Sequence, residues 1–256
     1  MKNNGFLESV ETFECDDLTD FTSFINTRLE HRHFIWRGQR DSNWLLEPTL
    51  DRLLRSHGKT GNTKIINAHL KRFKMATRGR RGSNPPIMQN ENDWWALGQH
   101  NNLATPLLDW SRSPYVALFF AFQEATTSST GKRAVFGLSQ TTVEFISLKI
   151  SQKTSGAANS NIIEFIEPLS DENARLVNQN GLFSRSPIGI DVETWVKKNI
   201  DHSDKKVRLY KIYIPETQRV RILQLLNRMN INHLSLFPDL YGASKFVNFD
   251  LLIENY

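Results

Sequence analysis

The stretch FIWRGQ, Phe34 to Gln39, decides how the rest of the chain is read. Three bulky apolar residues in succession have the composition of a strand entering a core. An arginine and a glycine follow at once. Arg37 is a fixed cation whose planar fork of donors suits a phosphate or a carboxylate. Gly38 removes a side chain where a ligand can approach, and Gln39 adds donors and an acceptor. Read alone, the same residues also describe an arginine exposed at a strand end and a glycine that turns the chain.

Outward from this strand the periodicity changes. On the N-terminal side, LTDFTSFINTRL places Phe21, Phe24, Ile25 and Leu29 on one helical face, with Thr19 or Asp20 as the N-cap. On the other side, WLLEPTLDRLLR reads as a turn into a short helix with Pro48 near its start. Lys64 to Arg78 reads as an amphipathic helix with Ile66, Leu70 and Phe73 on its apolar face. TRGRRGSNPPIMQNEND reads as a loop. SRSPYVALFFAFQEA predicts a helix with Ser113 as N-cap and Pro114 at the first helical position. RAVFGL, VEFISLKI, NIIEFIEP and VRLYKIYIP read as strands, Ser151 to Ser160 as a loop, and TQRVRILQLLNRM as a helix. LFPDLYG reads as a strand end turning into a helix, with Asp239 near the helix start, and GASKFVNF continues as that helix. Strands and helices mix without regular βαβ alternation, which places the chain in the α+β class. Residues 1–256 are expected to form one domain, with an N-terminal helical part and a basic helix and loop inserted at about 55–92.

The bulk numbers narrow the setting. The chain has 256 residues, enough to bury a substantial core, and 16 Phe and 6 Trp to fill it. A single cysteine, Cys15, excludes an intramolecular disulfide and a multi-cysteine zinc site, so a reducing cytoplasm is the expected home and no metal site is expected. The longest apolar run, Tyr115 to Phe122, is too short to span a bilayer, so no membrane partner is expected. The net charge of +5 permits a polyanionic partner without demanding one. Charge is concentrated between Asp51 and Arg81, with ten Lys/Arg against one acid. Lysines on a helix face are commonly just solvated. Here KRFKMATRGRRG joins a helix face to a flexible Arg/Gly tail, a composition that follows nucleic-acid backbones, and Lys71, Arg72, Lys74, Arg78, Arg80 and Arg81 are its candidate contacts.

The second dense stretch is WWALGQHNNLATPLLDWSRSPYVALFFA. Gln99 and His100 end an apolar helical run, and Asp109 and Trp110 precede a helix N-terminus, where backbone N–H groups favour an anion. The plainer alternative makes Asp109 and Ser113 caps and His100 a satisfied, half-buried histidine.

Arg37-Gly38 after an aromatic strand, together with ALGQHNNLATPLLDWSRSPYVALFFAF, resembles the FRG domain of bacterial and phage-related proteins. WLLEPTLDRL, NARLVNQNGLF and RILQLLNRMNINHLSLFPDLYG fit the same pattern, so the resemblance runs from about Phe21 to Val247. The motif around Leu107 to Ala121 is specific; the Arg-Gly pair alone is not. WRG followed by LLDWSRSPYVALFF is also similar, more distantly, to the ADP-ribosyltransferases. Those enzymes open on an aromatic-Arg-Gly strand and later carry a Ser- or Thr-bearing strand before a "VA..F" helix. This second resemblance implies a split, mixed sheet that clamps NAD as a substrate. It implies that Arg37 lies beside the NAD phosphates or ribose, that Gly38 gives its backbone to the nicotinamide amide, and that Gln39, Gln99, Asp109, Trp110 and Ser113 support the cofactor pocket.

Transfer from NAD breaks a C–N glycosidic bond through an oxocarbenium-like state, akin to that of glycosidases. ADP-ribosyltransferases carry a late catalytic Glu, and the matching region here, VNQNGLF, offers Gln179 instead. Glu164, Glu167 and Glu172 lie nearby without the expected pattern. Either an amide replaces the acid, or His100 or Asp109 supplies the base, or the activity is lost. With Arg37, His100 and Gln179 as the catalytic candidates, the expected function is an NAD-dependent ADP-ribosyltransferase acting on RNA or DNA. The resemblance implies a toxin or phage-defence effector neutralised by a protein antitoxin. The competing readings are a non-catalytic nucleic-acid-binding module and a nuclease toxin built on His100 and Asp109.

Overall fold

The computed structural model describes residues 1–28, 34–153, 161–168, 174–200 and 206–256. The chain begins with two strands, β1 (Lys2–Leu7) and β2 (Val10–Glu14), followed by α1 (Leu18–Arg28) and β3 (Phe34–Gln39). Three helices come next, α2 (Thr49–Ser56), α3 (Thr63–Ala76) and α4 (Glu91–His100). Then β4 (Leu107–Ser111), α5 (Pro114–Phe122), β5 (Lys132–Ser139), α6 (Gln140–Lys153) and β6 (Glu164–Ile166) follow. The last part holds α7 (Ala174–Asn178), β7 (Gly181–Arg185), α8 (Val192–Asn199), β8 (Leu209–Pro215), α9 (Arg219–Arg228), α10 (His233–Leu236) and α11 (Leu240–Leu252).

The strands form one mixed sheet in the order β1-β2-β8-β5-β3-β4-β7-β6. β2 and β8 run parallel and the other pairs antiparallel. The α+β class holds. Within this one sheet, β3 pairs with β5 along its whole length but meets β4 at one position, Trp36 opposite Ser111. Five strands thus stand on one side of a seam and three on the other. The expected N-terminal helical part is corrected by the hairpin β1–β2, which precedes α1.

Alternation along β3 feeds two cores. Phe34 and Trp36 join Phe13, Phe21 and Phe24 under α1, α5 and α9, whereas Ile35 joins the opposite face with Trp195 of α8 and Val143 of α6. A third cluster, around Leu50, Ile66, Leu70 and Trp95, packs α2, α3 and α4 against Leu107 and Phe183. His69 ties α3 to the approach to β4, its Nε2 lying 2.9 Å from the Ala104 carbonyl.

α5 is apolar on every side, and it is correspondingly central. Ser113 accepts from the Val116 amide at its start and Pro114 opens its first turn, as the sequence predicts. Arginines close its other end. Arg133 donates to the Ala121 carbonyl and Arg219 to the Phe122 and Gln123 carbonyls, satisfying acceptors that a helix terminus leaves open. α5 lies directly on β3 because Gly38 lacks a Cβ. A Cβ there would stand 1.9 Å from the Ala117 carbonyl oxygen and 2.5 Å from the Ala121 nitrogen. Helix contact, rather than room for a ligand, is therefore what requires glycine at this position.

Other local readings also change. VEFISLKI is the middle of α6, not a strand: Val143 and Ser147 are buried and Ile146 and Ile150 pack beside them, a helical spacing. Asp17, not Thr19 or Asp20, caps α1, its Oδ1 accepting from both of their amides at 2.8 and 3.0 Å. Asp239 caps α11 as expected, but the element before it is α10 rather than a strand. Ser151–Lys153 belong to α6, not to the expected loop. Leu29, residues 154–160 of that loop, and Glu172 lie outside the described residues.

Gly38→Ala forces a methyl group into the α5 backbone, which no flexible side chain can relieve. The variant is expected to lose about 3 kcal/mol of stability, the upper end for overpacking, measured by urea unfolding.

Candidate functional site

The seam between β3 and β4 opens into a cleft of about 480 Å³. Arg37 spans it. Its Nη1 donates to the backbone carbonyl of Asp109 at 2.8 Å and stands 3.5 Å from the Asp109 carboxylate. A side chain thus bridges the strands where backbone pairing stops. Burial pushes the Arg37 pKa down, the Asp109 carboxylate opposes that shift, and the positive Arg52 adds to it. A guanidinium remains charged throughout the ordinary pH range all the same. The Arg37 Nε is buried without a hydrogen-bond partner.

Asp109 is held from a second side. Gln99, near the end of α4, donates from Nε2 to Asp109 Oδ2 at 2.8 Å, and Thr105 fixes Gln99 by hydrogen-bonding its Oε1. The neighbouring His100 also lines the cleft. Asp109 is the only carboxylate among the lining residues, and its side chain is 53% exposed. It is therefore solvated and held by a guanidinium and an amide.

The opposite wall comes from the segment after α7. Gln179 lines the cleft, its backbone carbonyl accepting from Ser111 Oγ at 2.7 Å and its amide reaching the Leu236 carbonyl at 3.2 Å. Arg175, one helical turn earlier, faces the same space. It lies 5.5 Å from the ring centres of both Phe237 and Tyr241 and donates from Nε to Asp239 at 2.8 Å.

Arg37, Gly38, Gln99, His100, Asp109, Trp110 and Gln179 thus converge on one cleft. Gln39 and Ser113 are not among its lining residues. Gln39 is buried and donates to the Leu45 carbonyl, while Ser113 serves as the α5 cap. Trp110 borders the cleft, but its indole is buried and donates to Ser184 Oγ at 2.8 Å. The rings nearest solvent are Phe120, Phe237 and Tyr241. Arg175 and these aromatics escaped the sequence reading, although the LFPDLYG stretch was a signal for two of them. Among the described residues no group of three or more His, Cys, Asp and Glu is placed to hold a metal ion, and no helix is long and apolar enough to cross a membrane.

The basic block divides into two kinds of residue. Lys71, Arg72, Arg78 and Arg80 are exposed. Lys74 and Arg81 instead flank the Trp94 ring, at 5.7 and 5.1 Å, and Arg81 also donates to the Pro86 carbonyl at 2.7 Å. Lys74 ties α3, and Arg81 the loop after it, to α4. The same helix carries His100 at its far end, roughly 9 Å along the axis from Trp94 at 1.5 Å per residue.

Residues 32–130 match the family model of the FRG domain, so the chain carries an FRG domain. The match is narrower than the span read from the motifs. It includes Arg37, Gln99, His100 and Asp109, while Arg175, Gln179, Phe237 and Tyr241 lie beyond it. The cleft therefore forms between the matched segment and the C-terminal part of the chain. Neither the curated proteins nor the solved structures yielded a match.

His233 lies behind the aromatic wall, 2% exposed, stacked on Phe237 and edge-on to Phe119 and Phe249. Burial, with lesser help from Lys245 and Arg219, pushes its pKa down from 6.5 to about 4. Between those values the unfolded chain binds a proton that the folded protein refuses. Stability therefore falls as pH drops from 6.5 to 4, by up to about 3 kcal/mol. Thermal unfolding at pH 7 and pH 5 should show a smaller loss in His233→Phe than in the parent protein.

Proposed function

We propose that the cleft binds NAD and transfers its ADP-ribosyl group to a nucleic acid. The observation that carries this reading is the convergence of two guanidiniums, one carboxylate, an imidazole and partly exposed aromatic rings on one cleft of about 480 Å³. That donor set suits the ligand: cations for a pyrophosphate, ring faces for flat heterocycles, and a carboxylate for positive charge. The volume lies within the range of small-molecule sites.

NAD supplies an N-glycosidic bond whose cleavage releases neutral nicotinamide with the bonding pair and places positive charge on the ribosyl carbon, to which the acceptor's nucleophile then bonds. Asp109 offers its carboxylate to that charge, and Arg37 and Gln99 hold the carboxylate in place beforehand. His100 takes the proton from the acceptor's nucleophile, a task suited to imidazole near neutral pH. Gln179, fixed between Ser111 and Leu236, offers an amide to hydroxyl groups of the ligand. The acceptor approaches from the exposed cations Lys71, Arg72, Arg78 and Arg80 toward the His100 end of α4. Uncontrolled transfer onto RNA or DNA would harm the cell that makes it. A toxin or phage-defence role with a neutralising protein partner follows from the same reading.

Incubation with labelled NAD and RNA, DNA or cell lysate tests the activity. Label should move to nucleic acid, and Asp109→Asn, which keeps an oxygen for its hydrogen bonds but loses the charge, should slow transfer about 10²-fold. Folded protein that neither transfers label nor consumes NAD overturns the proposal, and nucleic-acid cleavage without NAD would point to a nuclease instead. Nucleic-acid affinity should fall linearly on a log–log salt scale. Neutralising Lys71, Arg72, Arg78 and Arg80 should flatten that slope by about one per lost phosphate contact.

A further inference from the structure

Two guanidiniums line the cleft, and they are not equivalent. Arg37 is engaged with its own protein: Nη1 bonds the Asp109 carbonyl and faces the Asp109 carboxylate, and Nε is buried without a partner. Its hydrogen bond and ion pair join β3 to β4, so giving them to a ligand would release the seam. Arg175 belongs to the short α7 and holds no strands together. Its guanidinium is fixed by the faces of Phe237 and Tyr241, each 5.5 Å away. Its charge is answered by Asp239, through a partly exposed ion pair with the two side chains 28% and 37% exposed. Such a pair is worth little in water and is readily exchanged.

Asp239 has a second role that survives the exchange. Its Oδ1 accepts from the Gly242 amide at 2.9 Å and caps α11, while Oδ2 faces Arg175. Burial pushes its pKa up, but the Gly242 amide and the Arg175 guanidinium outweigh that and hold the carboxyl below its ordinary value. The carboxylate is thus an anion already present at an arginine that faces the cleft.

We infer that Arg175, rather than Arg37, is the anion anchor of the cleft: it takes a phosphate of a diphosphate-containing ligand, with Asp239 occupying that position in the ligand-free protein. This assignment names the group that grips the pyrophosphate in the NAD reading above, and rests on that reading for the identity of the whole ligand. The aromatic pair keeps the guanidinium in place when Asp239 gives way. Asp239 sets the affinity by competing with the ligand.

The two partners must then act with opposite sign. The intact chain is titrated calorimetrically with NAD and, separately, with inorganic pyrophosphate. Arg175→Gln should weaken both at least tenfold. Asp239→Asn keeps the N-cap, because asparagine caps as well as aspartate, but removes the competing charge, and should tighten both several-fold. A purely structural ion pair predicts that the two variants lose binding together, and that result overturns the assignment. Unchanged NAD affinity in both variants overturns it as well, while leaving the NAD reading in place. Pyrophosphate binding with opposite responses, but no NAD binding, sustains the anchor and overturns the NAD reading. A parent protein that binds neither ligand overturns both. Should Arg175→Gln fail to fold, Asp239→Asn decides: tighter binding supports the anchor and weaker binding overturns it.

Discussion

One hydrogen bond stands where two parts of a sheet would otherwise come apart. β3 and β4 share a single backbone bridge, and beside it the Arg37 guanidinium reaches the Asp109 carbonyl. A side chain can span a gap that a backbone pair cannot, because strands joined by ladder hydrogen bonds must lie about 4.8 Å apart. Substituting a long donor for the ladder keeps the strands connected while holding them open. The cleft is that opening. Its floor exists because α5 seals the sheet beneath, and α5 can lie there because Gly38 has no side chain. The Arg-Gly pair therefore does two mechanical jobs at adjacent positions: one residue bridges the seam, and the next admits the helix that closes it.

This arrangement divides labour among charged groups. Arg37 and Gln99 hold Asp109 from two directions, so the carboxylate is ordered before any ligand arrives. A carboxylate ordered beforehand need not reorganise when charge appears nearby. Arg175 is ordered by other means, through ring faces that hold a guanidinium in place without consuming its donors. A carboxylate held by a guanidinium and an amide, and a cation held by aromatics, line a single space.

Much of the frame was legible in the sequence because its signals were local. FIWRGQ alternates between two cores as a strand must, and the all-apolar PYVALFFAF after Ser-Pro is a buried, capped helix. The convergence of Arg37, Gln99, His100, Asp109 and Gln179 was also within reach, since most of them fall within two dense motifs. Failures came where cause or spacing was ambiguous. VEFISLKI contains β-branched and aromatic residues in near alternation, and Phe145 looks like a core residue although it is exposed. Only the burial of Val143 and Ser147, four apart, reveals the helix. Gly38 was recognised as a close-approach glycine, but the approaching group is α5 rather than a ligand. Nothing local distinguishes these two.

Arg175 was hidden for a different reason. Its partner Asp239 lies 64 residues further on, and the two rings that hold it flank that aspartate in sequence. No window around Arg175 contains the groups that give it a role. The fold supplies them by setting α10 and α11 beside α7, with Asn178 and Gln179 donating to the Ser235 and Leu236 carbonyls across the join. Ser111 Oγ, donating to the Gln179 carbonyl, ties that join to the segment that the FRG model matches. That segment supplies the bridging arginine and the ordered carboxylate, and the remainder supplies the aromatic wall and the second cation. The cleft consequently depends on two parts of the chain that meet only in the folded state. A change in the C-terminal wall can alter what the cleft binds without touching a residue of the matched motif.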